Sequence, residues 1–97
     1  MQTLPSPEIE IADFAVEELQ DVALWELMVF NDEVNTFDHV ITTLMDVCQH
    51  SPEQAEQCTI IIHYKGKSSV KMGEFEELAG MRNEICRRGI SAEVMLR

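Results

Sequence analysis

The sequence predicts an α+β domain of order β-α-α-β-α-β, with three helices packed on a three-stranded sheet. Three observations carry that prediction. The apolar spacing changes from strand-like to helical after Thr36, so a strand leads into a helix through a short loop. Ser51-Pro52-Glu53-Gln54 marks the start of a second helix, with Ser at N-cap, Pro at N1 and Gln at N3. Gly89 follows a third helical stripe that ends in Arg87 and Arg88, and a short alternating run comes after it.

The first strand is Leu24–Phe30, rich in large apolar and aromatic types. Alternation puts Trp25, Leu27 and Val29 on one face, directed at the core, and Glu26, Met28 and Phe30 on the other. The strand stops at Asn31-Asp32-Glu33, where short polar side chains can bond nearby backbone N–H groups and turn the chain. The first helix runs from Phe37 to Cys48. Phe37, Val40, Ile41, Leu44 and Cys48 form one stripe, Asn35 or Thr36 serves as N-cap, and Asp38 sits where the helix dipole favours an acid. The second helix follows the Ser51 cap and ends near Tyr64, before Gly66. Ala55, Cys58 and Ile62 share its inner face, which Ile60 and Ile61 widen. The short spacing makes these two helices neighbours.

Gly66 to Ser69 reads as a loop. Val70 and Met72 then alternate with Lys71 in a short strand that ends at Gly73. The third helix spans about Glu74 to Arg88, with Phe75, Leu78, Met81 and Ile85 as its stripe. A last strand places Ala92, Val94 and Leu96 on one face. Residues 1–22 read as a flexible acidic extension and residues 23–97 as the folded domain. Pro5 and Pro7 argue against regular structure before Glu8, while Asp13 to Val22 has the makings of a short helix.

The chain has 97 residues, 45% of them hydrophobic, enough for one domain with a core. No apolar run approaches the roughly 20 residues of a membrane span, and no basic region precedes a hydrophobic block at the N-terminus. The expectation is a cytoplasmic protein. The net charge is −11, and no Lys or Arg occurs before Lys65, whereas 13 of the 18 acidic residues do. Such a surface repels phosphate backbones, which argues against a nucleic-acid partner, and attracts basic protein surfaces or an amine. Cys48, Cys58 and Cys86 are odd in number and lack a C-x-x-C pair, which fits buried free thiols. His39, His50 and His63 show no metal-ligand spacing with them, so neither a metal nor another cofactor is expected.

An acidic loop after a strand, Asn31-Asp32-Glu33, and the run His63-Tyr64-Lys65-Gly66-Lys67 closing a helix form a constellation. Together with their spacing and the element order, over roughly residues 24–92, they resemble the ClpS family. These are adaptors that deliver N-degron substrates to the AAA+ Clp protease. The resemblance implies an antiparallel sheet. It also implies a non-enzymatic protein that binds the N-terminal domain of a Clp unfoldase and substrates with Leu, Phe, Tyr or Trp at the N-terminus. By the match, Asn31 and His63 bind the α-amino group directly, and Asp32 directly or through water. Those residues supply an amide oxygen, an imidazole nitrogen and a carboxylate, the acceptors an ammonium needs.

The side-chain pocket falls by the same match on Asn35, Phe37, Val40 and Thr59, with Ile62 as nearby wall. Several positions depart from the family pattern. Thr36 stands for its Pro, Glu33 for its second Asp, Phe37 and Thr59 for its two methionines, and Ser91-Ala92 for its late Pro-Leu. Its docking lysine on the third helix has no counterpart, Glu77 lying at about that place. Taken alone, Asn31 and Asp32 suit a plain turn, His63 suits a helix C-terminus, and Phe37 and Val40 suit a core. A competing reading is an assembly module like the C-terminal domain of the ribosomal stalk protein, which has a similar element order and needs no amine site. An acyl-transfer enzyme is disfavoured, since no nucleophile motif surrounds the cysteines.

Overall fold

The structure, a computed structural model, describes residues 24–97. The acidic extension and the expected helix at 13–22 lie outside the described residues. The element order is β1 (Trp25–Phe30), α1 (Phe37–Cys48), α2 (Pro52–Lys65), β2 (Lys67–Gly73), α3 (Phe75–Arg87) and β3 (Ala92–Leu96). The strands form one antiparallel sheet of order β2-β1-β3.

The most apolar strand takes the centre. Leu27 and Val29 on its inner face are fully buried, against Leu44 and Cys48 of α1, Ala55 and Ile62 of α2, and Leu78 and Ile85 of α3. Fully burying a side chain of this size stabilises by about 1.5–3 kcal/mol. Glu26, Met28 and Phe30, on the opposite face, stay half-buried.

Four of the six helix ends have a clear local cause. Thr36 caps α1 by accepting from His39 N–H, and Ser51 caps α2 with a complete capping box to Gln54. Gly66 ends α2 at φ 92°, in the left-handed region that Gly enters without penalty. At the end of α3, Gly89 N–H donates to Cys86 O and Ile90 N–H to Ile85 O. With Gly89 at φ 88° this is a full Schellman motif, and it tucks Ile90 inward to 3% exposure.

Two expectations about β2 are corrected. The strand starts at Lys67, not Val70: Ser68 pairs with Val29 and Ser69 with Met28. Two serines carry no apolar signal, yet the ladder beside a central strand recruits them. A bulge then shifts the register between Leu27 and Met28, leaving Val70 without a partner opposite. The extra residue reverses the alternation. Lys71 therefore reaches inward, its Nζ donating to Cys48 O at 3.3 Å, while Met72 turns out to 53% exposure instead of sharing a face with Val70.

The inner stripe of α2 also differs. Thr59 is buried and Ile61 is 38% exposed. Thr59 Oγ1 donates to Ala55 O at 2.7 Å, so its hydroxyl is satisfied within the helix and the residue packs like an apolar one. Among the cysteines only Cys48 is fully buried; Cys58 and Cys86 are half-buried. Burial pushes the Cys48 thiol up to about 11.

Candidate functional site

A cavity of about 440 Å³ opens where the end of β1, the start of α1, the last turn of α2 and the α3–β3 turn meet. Its apolar lining is Val29, Phe30, Phe37, Val40, Ile62 and Ile90. Its polar lining includes Asn31, Asp32, Asn35, Thr59 and His63. All eight residues singled out from the sequence thus line one cavity, although they come from two separate stretches, 31–40 and 59–63.

Backbone bonds hold the segments together. Asn31 N–H donates to Gly66 O at 2.8 Å, tying the acidic loop to the end of α2, where His63 lies. Phe30 N–H donates to Ser91 O at 3.0 Å on the other side. His63 meets the ring of Phe37 edge-on at 5.1 Å between centroids and that of Tyr64 at 4.8 Å. These contacts restrict the imidazole while its residue stays exposed at the cavity mouth. Asn31 is likewise exposed, and Phe37 is 41% exposed beside it.

Asp32 is placed differently. Its Oδ1 accepts from the backbone N–H groups of Val34 and Asn35, both at 2.9 Å, so the loop is wound about its own carboxylate. The Asn35 amide nitrogen adds bonds to both carboxylate oxygens, at 3.0 and 2.8 Å. The Asn35 N–H leads the donors that hold the Asp32 carboxyl below its ordinary range, against the opposing effect of burial. The same Asn35 nitrogen donates to Gly89 O at 3.0 Å, and His39 Nε2 donates to Arg88 O at 2.9 Å. Two side chains at the start of α1 therefore satisfy carbonyls left open at the end of α3.

The arrangement sets hydrogen-bond acceptors at the mouth of an apolar hollow. That suits a ligand with a cationic head and an apolar side chain on adjoining atoms. The family model for the ATP-dependent Clp protease adaptor protein ClpS matches residues 11–93. The chain belongs to the ClpS family.

Among ClpS relatives, the ATP-dependent Clp protease adapter protein ClpS of Thermosynechococcus vestitus is 29% identical over 68 residues, covering 69% of this chain and 72% of that protein. The structure of Agrobacterium tumefaciens ClpS2 bound to L-phenylalaninamide superposes with a TM-score of 0.74 at 17% identity, covering 77% of this chain and 98% of the other. At that identity the match speaks for the fold, and it agrees with three helices on a three-stranded antiparallel sheet.

Three apolar wall residues, Val29, Phe30 and Ile90, were not singled out from the sequence. The resemblance puts the C-terminal wall at Ser91-Ala92, yet the residue of that turn that lines the cavity is Ile90. A local signal existed: an apolar residue directly after the Gly at C′ is the position that folds back in a Schellman motif.

Proposed function

We propose that this ClpS-family adaptor binds the free α-amino group and the bulky hydrophobic side chain of N-degron substrates, and delivers them to a Clp protease. Its partners on this reading are the N-terminal domain of an AAA+ Clp unfoldase and substrates beginning with Leu, Phe, Tyr or Trp, in the cytoplasm. The observation that carries the reading is the junction of Asn31 and His63 with the apolar cavity of Val40, Ile62 and Ile90. That the Agrobacterium protein was found with L-phenylalaninamide, an α-amine next to a phenyl ring, supports it.

The energetics are consistent. A hydrogen bond to a charged group contributes about 1.5–3 kcal/mol. Burying a Phe or Leu side chain contributes a similar amount, about 1.5–3 kcal/mol. Neither alone selects a bulky free N-terminus, whereas the two on adjacent atoms do. The net charge of −11 adds a favourable field for a cation. In this scheme no covalent step falls to the protein: it holds and hands over a substrate.

Degradation of a fluorescent reporter with an exposed N-terminal Phe, by a Clp unfoldase and its peptidase, tests the reading. Adding the protein should accelerate loss of this reporter and leave one beginning with Ser unaffected. Equal rates for both reporters, or no acceleration, would contradict it.

A further inference from the structure

Asn35 falls on the side-chain pocket by family pattern, yet its amide nitrogen is occupied elsewhere. It donates to both oxygens of Asp32 and to the carbonyl of Gly89. Those three acceptors also fix which end of the amide is nitrogen, since a carboxylate and a carbonyl can only accept. A carboxylate offers about four lone-pair positions. Asp32 Oδ1 meets three donors and Oδ2 one, so the open acceptor capacity lies on Oδ2. The neighbour of Gly89 is Ile90, a cavity wall. One side chain thus joins the carboxylate of the proposed amine site to the turn that carries the apolar wall.

We propose that Asn35 is a positioning residue of the amine site: its amide nitrogen, bonded to both oxygens, fixes the plane of the Asp32 carboxylate whose Oδ1 the loop N–H groups hold, so that the open side of Oδ2 faces the incoming ammonium, and it sets the distance between that charge and the Ile90 wall. The inference rests on the adaptor reading and adds to it a residue that acts through Asp32 and not on the ligand. Loss of the Asn35 amide leaves the backbone donors of Val34 and Asn35 in place. The loop then persists, while the carboxylate gains freedom to rotate and the turn at Gly89 loses a tie.

The test is a double-mutant cycle on the full chain, with a short peptide beginning with Phe and a free amine as probe. Asn35→Ala should weaken binding about tenfold, the scale of one hydrogen bond to a charged group. In an Asp32→Ala background the same change should alter affinity less than about twofold, because its effect runs through the missing carboxylate. A second readout follows the side-chain carboxyl resonance of Asp32 itself, since the Glu33 carboxylate on the loop and the His63 imidazole on α2 share the cavity. Its midpoint should rise in Asn35→Ala. Asn35→Thr keeps one hydroxyl donor and carries the same cycle if the alanine variant does not fold.

Additive losses, or unchanged affinity with an unmoved Asp32 midpoint, would overturn the positioning role while leaving the adaptor reading intact. Failure of the unaltered protein to bind the peptide would overturn both.

Discussion

Asn31 and His63 are exposed acceptors at the cavity mouth, and the proposed function assigns them the ammonium. Asn31→Ala and His63→Ala should each weaken binding of a free-amine Phe peptide by about 1.5–3 kcal/mol, read by calorimetric titration, with unchanged circular dichroism. Thr59 is small and buried in the cavity lining, and its polarity is satisfied by Ala55 O. The hollow should therefore accept branched N-terminal residues to some degree. Thr59→Met should lower affinity for Ile and Val peptides relative to Leu; an unchanged ratio would place Thr59 outside the binding surface. Cys48 is fully buried with its thiol raised to about 11, so it should be the last cysteine alkylated in the native protein at pH 8. Mass-spectrometric labelling reads the order, and early modification of Cys48 would contradict the packing. The sign for stability follows: the folded state holds the Cys48 proton longer, so its contribution is lost as pH rises from about 9 towards 11.

At the scale of elements, the α2 capping box is the clearest local signal, in sequence and structure alike. Ser51→Ala should cost about 0.5–2 kcal/mol, seen as a drop in melting temperature. At about 4–8 °C per kcal/mol for a domain this size, the shift is measurable. The three helices and β1 were legible because strong periodicity and caps agree there. The start of β2 was not, since Ser68 and Ser69 gain their strand from the partner β1. The facing of Lys71 and Met72 was hidden for a related reason: a bulge arises from pairing between distant segments and leaves no mark in a run of residues. The site divides in the same way. Asn31, Asp32 and His63 were visible as a motif, whereas Ile90 entered through tertiary packing of the α3–β3 turn. That Asn35 points to Asp32 and Gly89 is a matter of side-chain geometry, which residue types do not encode.

For the whole molecule, residues 24–97 place the cavity at one end of a helix-covered sheet, and an acidic stretch precedes β1 in the chain. Six acids and no basic residue lie in residues 1–22. The function proposed here separates binding from delivery. Deleting residues 1–22 should spare peptide affinity and impair degradation of a Phe reporter by the Clp protease. Full degradation by the truncated form would assign delivery to residues 23–97 alone.

The central claim is that the cavity recognises a free α-ammonium beside a bulky side chain. Fluorescence anisotropy with one peptide pair tests it: a labelled peptide beginning with Phe, and the same peptide N-acetylated. Acetylation removes the charge and two donors and leaves the side chain untouched. The free peptide should bind and the acetylated one should not. Equal binding of both would mean a merely hydrophobic groove, and binding of neither would contradict peptide recognition at this site altogether.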